Sequence, residues 1–217
     1  MRSYIAEFIG TFALVFVGAG SVVVQGLNGS PGLVGIGLAH GIILLSMIYS
    51  LAAVSGAHFN PAITVTMLAS RRIEAAKALG YVVSQLLGAS AAGFALLLLF
   101  PAATSAQIYG FPQEVPMVFG IAIEAILTFF LVLAVYGTAV SKKAPQGVFG
   151  LAIGGTILAD IMMGGSLTGA AMNPARAFGP ALASGMLSNQ LIYWIGPIVG
   201  ALVAGFVCEY LFMEKRK

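Results

Sequence analysis

The sequence predicts an all-α integral membrane protein: six transmembrane helices plus two re-entrant half-helices in an inverted 3+3 repeat. Three observations lead there. The 217 residues are 59% hydrophobic and 8% charged, with a mean hydropathy of +1.01, against the roughly 25% charged residues of an ordinary soluble domain. Apolar runs able to cross a hydrocarbon core of about 30 Å, which takes ~20 helical residues, fall at 4–24, 33–54, 78–100, 117–139, 148–167 and 190–212. Finally, SGAHFNPAITV at 55–65 returns as TGAAMNPARAF at 168–178, each copy following a long apolar run.

The first run begins behind a charge, as a signal peptide does, but it is too long and no small-residue cleavage pattern follows, so it reads as a retained span. The second and fifth runs contain GLAHG at 37–41 and GLAIG at 150–154. Pairs such as Gly37 and Gly41, Gly150 and Gly154, or Gly196 and Gly200 have the small-xxx-small spacing that lets helices approach closely in lipid. The segments from Asn60 to Ser70 and from Asn173 to Ser184 are too short to span, at roughly 15 to 18 Å of helix each. Both open on Asn-Pro-Ala, Asn60-Pro61-Ala62 and Asn173-Pro174-Ala175. Asn suits the N-cap because its side chain accepts from a free backbone N–H, and Pro suits N1 because it has no N–H to leave unpaired.

The matches extend beyond these boxes. The Asn-Pro-Ala copies and the GLAxG copies share an offset of 113; Tyr81, Gly88, Ala89, Ala92, Gly93 and Phe94 match Tyr193, Gly200, Ala201, Ala204, Gly205 and Phe206 at 112; Glu7, Thr11 and Phe12 match Glu124, Thr128 and Phe129 at 117. Residues 1–217 therefore read as one membrane domain with internal repeats at approximately 4–105 and 117–212. Each repeat holds an odd number of crossings, so the second inserts upside down relative to the first. The two half-helices then enter from opposite sides, and their N-termini meet near the midplane.

Arg2, Arg71, Arg72, Lys77, Lys142, Lys143, Lys215, Arg216 and Lys217 all fall in the N-terminus, second loop, fourth loop and C-terminus, while QGLNGSPG, PAATSAQIYGFPQEVP and SNQ contain no Lys or Arg. The positive-inside rule makes both termini cytoplasmic in a multi-pass protein of the cell membrane. The same distribution explains the net charge of +3 without a nucleic acid. The single cysteine, Cys208, allows no internal disulfide, thiol site or Cys/His metal cluster, and no cofactor is implied.

Non-helical backbone before each Asn is excluded from lipid but tolerated where it lines a wet cavity. Gly56, Ala57 and His58 in the first copy, and Gly169, Ala170 and Ala171 in the second, are thus expected to line or support a water-filled path. Two helix N-termini aimed at one place contribute partial positive charge, and the amides of Asn60 and Asn173 donate to a passing neutral oxygen. Cations are repelled and water is accepted. Arg176 is the one cation outside the loops that share the termini's face; three residues after Asn173, it sits about 4 to 5 Å outward of it. His40 and Ile161 fall at a similar depth, roughly 10 Å below the outer surface. Glu7 and Glu124 are costly in a span unless paired.

Paired Asn-Pro-Ala boxes ending matched three-span repeats resemble the aquaporins of the major intrinsic protein family, from Glu7 to Phe206. The resemblance implies a homotetramer with one pore per subunit, conducting water and small neutral solutes passively without a cofactor. It makes His40, Ile161, Ala170 and Arg176 the selectivity filter, and it has Glu7 and Glu124 accept from the backbone of the re-entrant loops. His, Ile, Ala and Arg in those places resemble the plant tonoplast subgroup, whose members often pass ammonia and sometimes urea. Ala177, Ala181 and Tyr193-Trp194 are unlike the glycerol facilitators, which carry an Asp and a basic residue at the first two places. A glycerol- or urea-permeable facilitator is the alternative within the family. Outside it, a secondary transporter with broken helices would need a coupling ion or titratable relay, and both midplane groups are neutral amides. No nucleophile–base pair or metal-ligand set points to an enzyme. Asp160, about 100° around its helix from Ile161, has no derivable role.

Overall fold

The computed structural model describes residues 1–112, 114–145 and 147–213; Lys215, Arg216 and Lys217 lie outside the described residues. Helices α1 (Arg2–Asn28), α2 (Gly32–Ser55), α4 (Ala75–Leu99), α6 (Met117–Val135) and α9 (Gln190–Val207) are long and apolar crossings, the last two extended by π-helical turns at Tyr136–Val140 and Cys208–Phe212. The remaining crossing, α7 (Phe149–Gly164), has 16 residues, about 24 Å of helix. It is shorter than the 148–167 run suggested because the chain leaves the helix at Gly165 and turns through Thr168. With six crossings both termini share one face, called here the terminal face.

Between the crossings lie the half-helices α3 (Pro61–Ala69) and α8 (Pro174–Ser184). Asn60 and Asn173 adopt extended N-cap geometry, and their side chains accept from Ala62 N, and from Ala175 N and Arg176 N respectively. The third loop carries a short helix, α5 (Ser105–Tyr109), with a capping box between Thr104 and Gln107.

Helix α1 packs on α2 and α4, α2 on α7, α6 on α9, and α8 against α4. Glycine sets how close they come. A Cβ on Gly88 would lie 2.4 Å from Phe8 O, and one on its repeat partner Gly200 would lie 1.9 Å from Ala125 O. Gly41 and Gly154 face each other the same way, each 2.5 Å from the other's carbonyl by that measure. These are backbone-to-backbone contacts, and lipid-embedded helices associate through such packing because burial from water contributes nothing there. The outward surfaces are correspondingly apolar, with Leu79, Leu98, Val118 and Leu151 among the exposed side chains.

Candidate functional site

The stretches before the two Asn residues adopt matching conformations. Gly56 and Gly169 both have φ of +89°, and Ala57, Phe59, Ala170 and Met172 have φ between +44° and +53°. A left-handed conformation costs a residue with a Cβ roughly 1 to 2 kcal/mol, so each loop needs compensation from outside itself. Two buried carboxylates provide it. Glu7 accepts from Ser55 Oγ (2.6 Å), His58 N (3.0 Å), Phe59 N (2.7 Å) and Gln85 Nε2 (2.7 Å). Glu124 accepts from Thr168 Oγ1 (2.6 Å), Ala171 N (3.0 Å) and Met172 N (2.7 Å). Donors at this density keep a buried carboxylate hydrogen-bonded rather than stranded.

Each loop is also fixed at its start. The hydroxyls of Ser55 and Thr168 accept from Ala57 N and Ala170 N, while Tyr81 and Tyr193 donate to the carbonyls of Ser55 and Thr168, both at 2.7 Å. The sequence marks Tyr81 and Tyr193 as repeat partners but does not assign the loop-fixing hydroxyls of Ser55 and Thr168. The signal was present: Ser55 and Thr168 stand 113 residues apart, the offset of the Asn-Pro-Ala boxes.

The half-helix N-termini meet. Asn60 Nδ2 donates to Met172 O at 2.8 Å, and Asn173 Nδ2 donates to Phe59 O at 2.9 Å. Since an amide nitrogen carries two protons, one from each Asn remains for a solute. Pro61, Ala62, Pro174 and Ala175 are buried behind them.

A cavity of about 280 Å³ extends from His40 and Arg176 past both Asn side chains to Val140 and Phe149 on the terminal face. Its wall is apolar along Leu44, Ile48, Leu131, Ile153 and Ile157, and polar along the two loops, including Gly56, Ala57, His58 and Ala171. A solute chain would find hydrogen-bond partners along one stripe and none elsewhere. Gly169 lies under the third loop instead: a Cβ there would come 2.3 Å from the Phe111 ring. His58 Nδ1 is 3.1 Å from Thr64 Oγ1.

His40, Ile161, Ala170 and Arg176 all line one end of this cavity. Arg176, 3% exposed, donates from Nε and Nη2 to His40 Nε2 at 3.1 and 3.0 Å. Because a guanidinium only donates, His40 Nε2 must be the unprotonated nitrogen; Nδ1 then donates to Ile36 O at 2.9 Å. The guanidinium is therefore tied sideways to α2 and offers its remaining edge to a solute. The Phe111 ring covers it, with the centroid 4.3 Å from Cζ, and packs on Tyr109 and Tyr193. Asp160 is buried in α7, with Oδ2 lacking a hydrogen bond among the described residues.

A family profile described as major intrinsic protein matches residues 1–208. The chain is similar to the aquaporin TIP4-4 of Zea mays, 39% identical over 99% of this chain and 88% of the relative. It is 40% identical to the probable aquaporin TIP3-2 of Arabidopsis thaliana, over 98% of this chain and 84% of that one. Among solved structures it is similar to the aquaglyceroporin from Plasmodium falciparum, with a TM-score of 0.82 and 25% identity over 97% of this chain and 96% of the other.

Proposed function

The chain belongs to the major intrinsic protein family and is a passive membrane channel for water and small solutes, within which we propose that His40, Ile161, Ala170 and Arg176 form the selective constriction. The observation that carries this reading is the lateral tether of Arg176 to His40. It leaves a ring with one donor edge, two apolar walls at Ile161 and Ala170, and no carboxylate. Such a ring suits a small neutral hydrogen-bond acceptor. Water fits, and ammonia is the second solute we assign, because Ile161 supplies neither a donor nor a charge to the constriction. Farther in, the free amide protons of Asn60 and Asn173, together with two helix N-termini, favour an oxygen and oppose a cation. Pro61, Ala62, Pro174 and Ala175 fix those N-termini, and Glu7 and Glu124 hold the loops that carry Gly56, Ala57, His58, Gly169 and Ala171.

The distribution of Lys and Arg supports placing the terminal face in the cytoplasm of a cell-membrane protein, and the family resemblance supports a homotetramer. Native mass spectrometry giving four copies tests the latter. Stopped-flow light scattering on proteoliposomes tests the channel, and liposomes holding purified protein that shrink no faster than empty ones would refute water conduction. For the filter, I161H is expected to suppress ammonia flux more than water flux; equal loss of both would remove Ile161 from the constriction.

A further inference from the structure

Helix α7 begins without help from its own sequence. Its N-cap is Val148, with no side-chain cap, and the first-turn N–H groups of a helix have no partner within it. They are met by water or by a partner from elsewhere in the fold. Leu151 N donates instead to Tyr49 Oη of α2 at 3.1 Å, and the same hydroxyl donates to Gly147 O at 2.8 Å. The tyrosine ring seats against Gly150, where a Cβ would fall 2.7 Å from Tyr49 Cζ, and makes an edge contact with Phe149 at 5.5 Å. Phe149 lines the terminal-face end of the cavity beside Val140.

We propose that Tyr49 is the positioning residue for the pore mouth on the terminal face, its hydroxyl capping α7 in trans and its ring holding Phe149 against the wall. The inference rests on the cavity being the conducting path. Without the hydroxyl, Gly147 O and Leu151 N lose their shared partner, the start of α7 loosens, and the Phe149 ring gains access to the bore it already borders. Tyr49 therefore acts on conduction through Phe149 and touches no solute itself.

The test uses full-length protein in proteoliposomes. Y49F keeps the ring and removes the hydroxyl; if a blocking and an open arrangement of Phe149 then become comparable in free energy, per-channel water permeability falls by about twofold. Adding F149A to Y49F removes the blocking ring and restores permeability, a rescue that general destabilisation would not give. Should Y49F fail to reconstitute, G150A displaces the Tyr49 ring from the other side and carries the same expectation and the same rescue. Unchanged permeability in the variant, or a loss that F149A does not restore, overturns the role of Tyr49. Wild-type protein no more permeable than lipid alone would instead overturn the channel reading.

Discussion

Gly179 stands three residues beyond Arg176 on α8, where the half-helix meets α4. A Cβ at this position would lie 2.1 Å from Ala89 O, 2.3 Å from Ala89 C and 2.9 Å from Ala89 Cβ, and across the same seam a Cβ on Gly93 would lie 2.5 Å from Gly179 O. Backbone atoms cannot rotate aside as a side-chain tip can. In G179A the half-helix must therefore retreat from α4 by about 1 Å to bring the closest contact to a tolerable separation, and overpacking of this kind costs roughly 1 to 3 kcal/mol. For a chain of this length that corresponds to a drop of about 2 to 12 °C in unfolding temperature. The functional effect should exceed the stability effect, because the displaced element carries both Asn173 and Arg176, and the Arg176 tether to His40 spans only 3.0 to 3.1 Å. The matched control is G155A on α7, where a Cβ meets nothing within 4 Å; there the alanine stabilises the helix by up to about 1 kcal/mol. Thermal unfolding in detergent and stopped-flow water permeability, normalised to reconstituted protein, provide the two readouts. If G179A matches G155A in both, the close approach of α4 and α8 does not position the constriction and the reasoning fails.

F111L removes the aromatic face over the Arg176 guanidinium, an interaction worth about 0.5 to 2 kcal/mol. The side chain is then less firmly held, and the ratio of urea to water flux in osmotic shrinkage assays should rise; an unchanged ratio means the third loop plays no part in selectivity. E124Q and E7Q should separate by how many donors each carboxylate serves. A glutamine oxygen accepts two hydrogen bonds, leaving one of the three donors at Glu124 unpaired and two of the four at Glu7. At about 1 to 3 kcal/mol per stranded donor, E7Q should unfold at the lower temperature, and equal melting of the two variants would contradict the count.

The spans and half-helices were legible because their signals are local: apolar run length, Asn-Pro at a helix start, and segments after it too short to span. The meeting of Asn60 and Asn173 followed from symmetry, since matched three-span repeats leave no other arrangement. Phe111 was not legible. It lies in the third loop between the two repeats, has no repeat counterpart, and reaches Arg176 only through tertiary contact. The capping box at Thr104 and Gln107 could have marked the short helix that precedes it, though not what that helix supports. The cap at the start of α7 was hidden for a similar reason, because the partner of Leu151 N is a tyrosine 102 residues earlier in the chain.

The two halves repeat each other's loop machinery but differ in what surrounds the carboxylate. In the first half Gln85 donates to Glu7 and to Thr64 Oγ1, and the residue three positions after Asn60 is Ile63 where the second half has Arg176. In the second half, the positions corresponding to Gln85 and Thr64 are Pro197 and Ala177, neither able to make those bonds. Glu124 thus has one donor fewer, and it holds the backbone of the loop that leads into the half-helix carrying Arg176. A guanidinium at a helix N-terminus faces an adverse dipole, and a carboxylate behind the adjoining loop offsets that field without entering the bore. Losing that neutral amide and gaining Arg176, both in the second repeat, converts a symmetric pair of supports into one mainly structural end and one selective end. Selectivity can then be altered at Arg176 and its partners while the terminal-face half continues to hold the path open.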